Sequence, residues 1–100
     1  MGRTGLTEDY DLYFEQDEET VLIPLDALVP TKPPESQLDS VERAAERMAA
    51  AAAGELPRRV PISVRRLETR GWEIVDGNAT YGVALREGWR ALPAKVDGPR

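Results

Sequence analysis

One strongly amphipathic segment constrains the folds open to this chain. Across residues 37–53, apolar side chains recur at three- and four-residue steps, at Leu38, Val41, Ala45, Met48 and Ala52. That spacing predicts a helix with one apolar face. Ser36 or Asp39 is placed to cap its start, and Gly54 stands where a left-handed C-terminal cap belongs. The expected fold therefore includes one long amphipathic helix.

The segment before this helix predicts a strand and an extended connection. Residues 20–25 (TVLIPL) are short, apolar and β-branched, which suits a first strand. Pro24 places that strand near an edge or at its own end, because proline cannot donate a ladder hydrogen bond. Three further prolines keep the connection to the helix extended, namely Pro30, Pro33 and Pro34.

Two strands are expected after the helix. Val60, Ile62 and Val64 alternate with polar residues, so residues 59–67 predict a strand with one buried face. Residues 72–76 follow a short polar turn and complete an antiparallel hairpin with it.

The last third of the chain predicts a second helix and a final strand. Residues 80–87 show helical spacing that Gly88 ends, and residues 91–96 can return to the sheet. The order is therefore strand, helix, strand, strand, helix, strand, which predicts an α+β fold with a small mixed sheet and two principal helices. Three aromatic residues are expected to pack inside this fold rather than stack on a base, namely Trp72, Tyr81 and Trp89.

An acidic segment precedes these elements. The division expected is an acidic lead over residues 1–19 and a domain over residues 20–97. One reading of the lead is a flexible segment, because its carboxylates repel one another and its apolar groups are few. The other reading is that four apolar residues dock onto the domain or a partner, namely Tyr10, Leu12, Tyr13 and Phe14. The acids would then cover a basic surface such as the arginine group Arg58, Arg59, Arg65, Arg66 and Arg70.

Composition excludes several kinds of chemistry. The chain has no cysteine and no histidine among its 100 residues, so it has no thiolate nucleophile and lacks the commonest metal ligand and general base. A net charge of -5 argues against DNA binding by this domain alone, because such binding neutralises phosphates with lysine and arginine. Without an export signal or a long apolar run, a cytoplasmic protein without a membrane span is expected.

Five segments, in order, resemble the N-terminal domain of ParB-type chromosome-partition proteins and the related sulfiredoxin fold. They are VLIPLDALVP, RVPISVRR, WEIVDG, GNATYGVALREGW and ALPAKV, within residues 21–96. In the partition proteins, the turn after the third strand carries glycine, an acid and two arginines and holds a nucleoside triphosphate. Sulfiredoxins carry glycine, a catalytic cysteine, histidine and arginine there. Here the turn reads Gly77, Asn78, Ala79, Thr80, so the resemblance implies a degenerate site without thiol chemistry.

The resemblance points to residues 76–80 and to the loop after the first strand as the ligand-binding region. Backbone N–H groups at a helix start attract anions, and Gly77 permits close approach. Asp76 either caps that helix or helps hold Mg²⁺ that a nucleotide bridges, with Glu35 as the second metal ligand. Asn78 is either a turn residue that tolerates a left-handed conformation or a ligand contact. Lys32 and Glu35 either face the ligand, as polar residues do in relatives, or are simply solvated.

Three hypotheses follow for function. The first is a non-catalytic ParB-like domain that binds a nucleotide or a protein partner at the turn over residues 76–80. The second is a magnesium-dependent enzyme that acts on nucleotides, phosphorylated small molecules or nucleic acid, with Asp76 and Glu35 as metal ligands. The third is an antitoxin-like or accessory protein of a DNA-associated system, whose acidic lead occupies a basic surface on a partner.

Overall fold

The computed structural model of the protein describes residues 5–97, and residues 1–4 of the predicted lead lie outside that range. Its elements, in chain order, are α1 (Tyr10–Tyr13), β1 (Val21–Pro24), β2 (Leu28–Val29), α2 (Leu38–Ala52), β3 (Ile62–Arg66), β4 (Trp72–Asp76), α3 (Asn78–Glu87) and β5 (Ala91–Val96). Two single 3-10 turns, Leu25–Ala27 and Pro34–Ser36, flank β2. The α+β class and the order of the principal elements are as predicted.

The five strands form one mixed sheet in the order β1-β5-β3-β4-β2. The predicted hairpin is confirmed, because β3 and β4 pair antiparallel with Val64 opposite Ile74. β5 lies between β1 and β3, antiparallel to the first and parallel to the second. β2 was not predicted; it has only two residues and pairs parallel with β4.

Helix α2 packs its apolar face against the core, with a correction to the predicted stripe. Leu38 is 68% exposed and Ala52 is also exposed, whereas Ala44 and Ala51 are buried. The buried face of the helix is instead formed by Val41, Ala44, Ala45, Met48 and Ala51. The predicted side-chain cap is also absent, because Gln37 occupies the N-cap position without a capping hydrogen bond.

Both long helices end at glycines, at the positions that the sequence predicted. Gly54 follows α2 with φ +81°, as predicted for a left-handed cap. Gly88 ends α3 with φ +75°, and the Trp89 N–H then donates to the Ala84 carbonyl at 2.9 Å. β3 begins at Ile62, three residues after the predicted start at residue 59, and Val60 is 77% exposed instead of lying on the buried face.

The N-terminal segment contributes to the core. Tyr13 and Phe14 are 2% and 1% exposed, so the core does not begin at residue 20, the predicted start of the domain. Phe14 also forms a parallel bridge with Arg59, and the Arg59 N–H donates to the Tyr13 carbonyl at 2.7 Å. Of the two readings of the lead, docking onto the domain describes Tyr10, Tyr13 and Phe14, whereas Leu12 is 39% exposed.

Aromatic stacking joins this segment to the end of α3. The Tyr13 and Trp89 rings stack with centroids 5.5 Å apart, and Tyr10 meets Trp89 edge-on at 5.8 Å. The Trp89 indole N–H donates to the Leu6 carbonyl at 2.8 Å. Trp89 and Tyr81 are buried, as predicted for packing residues, and Trp72 is half-buried beneath the Arg66 guanidinium.

Within residues 5–97, no helix combines the length and the apolar character that a membrane crossing requires.

Candidate functional site

Gly77 makes the sharp turn from β4 into α3, and glycine is needed there for two reasons. Its φ of +117° lies in the region that other residues rarely adopt. A Cβ atom at this position would also lie 2.4 Å from the Cγ2 atom of Ile62. The turn is therefore pressed against β3, and Gly77 is half-buried.

Asn78, the first residue of α3, joins the turn to the loop after β2. Its Oδ1 atom accepts hydrogen bonds from the Thr31 and Lys32 N–H groups at 3.0 and 3.2 Å. Its Nδ2 atom donates to the Thr31 hydroxyl at 2.9 Å, and that hydroxyl donates to the Ile74 carbonyl at 3.0 Å. We call this set of hydrogen bonds the Asn78 clasp. It holds the loop against the helix start.

The clasp limits the contacts that the predicted turn residues could make with a ligand. Asn78 is only 9% exposed, and both acceptor positions of its amide oxygen are filled from within the chain. It is also helical rather than left-handed, because the positive φ falls on Gly77 and on no non-glycine residue in the described part of the chain. Thr80 is 2% exposed and Ala79 is half-buried. Their side chains therefore serve packing more than ligand contact.

The predicted charged residues remain at the surface around the clasp. Asp76, Lys32 and Glu35 are all exposed. Glu35 belongs to the Pro34–Ser36 turn, which contacts both α2 and α3. The structure therefore brings the loop and the turn together, as the sequence analysis expected, although their closest link is the buried Asn78.

Asp76 does not cap α3. The N-cap position is Gly77, which makes no side-chain cap, and Asp76 precedes it. No group of three acidic side chains with metal-binding spacing occurs within residues 5–97. A magnesium ion held by Asp76 and Glu35 alone would need water or a nucleotide to complete its oxygen ligands, since Mg²⁺ prefers six. That site stays a prediction.

The start of α3 retains the backbone donors that the sequence predicted. The first hydrogen bond back to the turn runs from the Tyr81 N–H to the Gly77 carbonyl at 2.9 Å. The three amides before it, of residues 78–80, belong to the first turn of a helix, where the helix dipole is positive. Helix α3 begins two residues earlier than its apolar spacing indicated.

The structure relates Arg59 to Arg47 and to Asp76, which the sequence analysis did not group with it. Burial lowers the pKa of the half-buried Arg59, the nearby positive charge of Arg47 lowers it further, and Asp76 opposes both effects. The predicted arginine group is instead divided among separate contacts. Arg65 lies 3.7 Å from Glu73, and Arg58 donates to the Asp11 carbonyl at 3.1 Å. Because Arg47 comes from α2 and Arg59 from the approach to β3, only the folded chain brings them together.

A shallow groove of about 540 Å³ adjoins the loop at the start of α2. Its lining residues are Glu35, Ser36, Gln37, Leu38, Asp39, Ser40 and Arg43. Leu38 leaves a large apolar side chain in solvent there, beside the carboxylates of Glu35 and Asp39. The groove is open, and it combines an apolar contact with acidic neighbours.

No protein-family model matches this chain, and no curated protein is significantly similar to it.

Proposed function

We propose that this chain is a non-catalytic binding domain of the ParB and sulfiredoxin type, and that it binds a protein partner through the surface around the Asn78 clasp. We call this the loop–turn surface, formed by Lys32, Glu35, Leu38, Asp39 and Asp76. The five family-like segments support the type of domain. An antitoxin-like or accessory protein is one form that such a domain can take.

The observation that carries the proposal is the clasp itself. The polar side chain at the centre of the turn is buried and bonded to the chain's own loop. Around it lie an exposed leucine, a groove and charged side chains, which suit the apolar and polar contacts of a protein surface. The three carboxylates of this surface would repel a phosphate, and the turn lacks the arginines that bind phosphate in pairs of hydrogen bonds.

Partner capture with matched variants tests the proposal. Leu38→Asp changes the groove at a residue that is 68% exposed, so the fold should tolerate it. Leu85→Asp makes the same change on α3 at a residue that is 46% exposed, and it serves as the control. We expect to capture proteins that bind the wild-type chain and the Leu85 variant but do not bind the Leu38 variant. Equal capture by both variants would contradict the proposal.

A second candidate function is nucleotide binding, and the two neighbouring arginines favour it. The positive charge of Arg47 is close enough to lower the pKa of Arg59, and a bound anion would relieve that repulsion. A nucleoside triphosphate with Mg²⁺ is the ligand that the family resemblance implies. The enzyme hypothesis adds to this candidate only the turnover of the bound nucleotide.

A thermal-shift titration separates the second candidate from the first. A nucleotide binder gains stability in proportion to the logarithm of ligand concentration, and Arg59→Gln should reduce that gain. Arg70→Gln, at an exposed turn residue, is the control. If no triphosphate shifts the midpoint with or without Mg²⁺, nucleotide binding and nucleotide hydrolysis are both excluded. Product analysis on any triphosphate that binds then distinguishes a binder from an enzyme.

A further inference from the structure

One edge of the sheet is an open strand with exposed apolar side chains. β1 is the terminal strand, and among the described residues it pairs with β5 alone. Val21 and Leu22 are 43% and 53% exposed, although both are large and apolar. Such an edge offers unpaired backbone N–H and C=O groups to which another chain can add a strand.

Each edge carries a proline, because Pro24 ends β1 and has no N–H to donate to an added strand, but the other edge is shorter. β2 has two residues and is followed by Pro30, which has no N–H to donate. The next two N–H groups, of Thr31 and Lys32, are bonded to Asn78. Strand addition is therefore favoured at β1.

Carboxylates flank β1 at both of its ends. Glu18 and Glu19 precede the strand and Asp26 follows it, and all three are exposed. A chain that pairs along β1 would therefore lie between negative charges whichever direction it runs. Lysine or arginine near both ends of that chain would be attracted, and acidic residues would be repelled.

The acidic turn before β1 has a fixed shape. The Thr20 N–H donates to the Asp17 carbonyl at 3.1 Å, and the Asp17 N–H donates to the Thr20 hydroxyl at 3.0 Å. Lys95 on the neighbouring strand β5 bonds to Asp17 at 2.6 Å. Because these bonds order the turn before any partner arrives, little additional ordering of Glu18 and Glu19 is required on binding.

A second copy of this chain fits the edge poorly. In antiparallel self-pairing, Glu18 and Glu19 of one copy would lie near Asp26 of the other. In parallel self-pairing, the two acidic turns would meet. The net charge of -5 adds a general repulsion between copies.

We propose that the β1 edge binds an extended, basic segment of a protein partner, which adds a sixth strand to the sheet beside β1. Exposed Val21 and Leu22 supply the apolar contact, and Glu18, Glu19 and Asp26 select lysine and arginine. This surface lies at the opposite edge of the sheet from β2 and the loop that follows it. It is therefore separate from the loop–turn surface, and either proposal can fail while the other stands.

Synthetic peptides test the β1 proposal directly. The probe has a Val-Thr-Val-Thr centre with two lysines at each end and blocked termini. One control peptide carries glutamates in place of the lysines, and a second carries N-methyl groups on its central amides, which prevents strand pairing. The wild-type chain should bind the lysine peptide, and hydrogen exchange should slow within residues 17–26.

Charge reversal in the protein provides the matched variants. Glu18→Lys with Glu19→Lys should weaken binding of the lysine peptide by about tenfold or more, because attraction becomes repulsion. Glu55→Lys with Glu68→Lys makes the same change in net charge at exposed residues outside the edge, and it should leave affinity within about threefold of wild type.

Several outcomes would overturn the proposal. They are the absence of binding, equal binding of the lysine and glutamate peptides, undiminished binding of the N-methylated peptide, and protection mapped away from β1. Sedimentation of the protein without peptide tests one further outcome, the formation of a dimer. A dimer that Leu22→Lys dissolves would assign the edge to a second copy and not to a basic partner.

Discussion

Asn78 and Thr31 bond to each other twice across a separation of 47 residues, once through a backbone N–H and once through the Thr31 hydroxyl. This pair fixes the loop after β2 against the start of α3. It also buries the amide side chain at the start of the helix.

Removal of the Asn78 side chain should destabilise the fold. Asn78→Ala takes the acceptor from two partly buried N–H groups, and each unsatisfied buried donor costs about 1–3 kcal/mol. Urea denaturation measures the loss. In a double-mutant cycle with Thr31→Val, we expect a coupling energy above about 0.5 kcal/mol. Thr31→Ser keeps the hydroxyl and should be close to wild type. Additive effects of Asn78→Ala and Thr31→Val would show that the clasp does not act as a unit.

Glycine at position 77 should be more sensitive to substitution than glycine at position 54. Both have positive φ, but a Cβ at Gly54 meets nothing within 4 Å, whereas one at Gly77 lies 2.4 Å from Ile62. The loss of stability in Gly54→Ala therefore measures only the cost of a positive φ for a residue with a Cβ atom. Gly77→Ala should lose about 1–3 kcal/mol more, the usual range for overpacking. Equal shifts of the two denaturation midpoints would contradict the close contact with Ile62.

Truncation of Phe14 tests whether the N-terminal segment belongs to the domain. Phe14 is 1% exposed, so Phe14→Ala should reduce the free energy of unfolding by about 3–5 kcal/mol. Leu12→Ala, at a neighbouring residue that is 39% exposed, should lose about 1 kcal/mol or less. If urea denaturation finds similar small losses for both, residues 5–19 do not contribute to the cooperative core.

We expect the Tyr10 hydroxyl to lose its proton only at high pH, and the stability of the fold to decrease as it does. Burial and the hydrogen bond to Glu8 raise the pKa of Tyr10 to about 12 in the folded protein. A folded pKa above the unfolded value of 10.0 gives stability that is present below pH 10 and lost as pH rises towards 12. Ultraviolet absorbance of the phenolate, compared with Tyr10→Phe, measures the titration. Glu8→Gln should lower the Tyr10 pKa without returning it to 10.0, because burial, the larger cause, remains.

Glu8, the acidic partner of Tyr10, gives the stability of the fold the opposite dependence on pH. The Tyr10 hydroxyl lowers the pKa of Glu8, and the Arg90 and Ala91 N–H groups, at 2.7 and 3.2 Å, lower it further. The stability from Glu8 is therefore present above its ordinary pKa of 4.5 and is lost as pH falls through the lower folded value. Denaturation midpoints measured below pH 4.5 should fall more steeply for the wild type than for Glu8→Gln. Parallel curves would argue against this contact.

The sequence alone determined the elements that depend on near neighbours. The periodicity of α2, the alternation of β3 and the glycines that end α2 and α3 all act within a few residues, so their patterns can be read along the chain. Gly77 was also identified from the sequence as the start of the candidate turn, because a break between a strand and a helix needs a flexible residue.

Only the tertiary structure decided what depends on distant partners. β2 exists because two residues pair with β4, and Phe14 is buried because its side chain packs in the core formed by the rest of the chain. Asn78 was predicted to be a left-handed turn residue or a ligand contact, and its hydrogen bonds to Thr31 depend on a loop 47 residues away. Each of these features involves too few residues to show a periodic pattern along the sequence. Its structure is set by packing and hydrogen bonds that form only once the whole chain has folded.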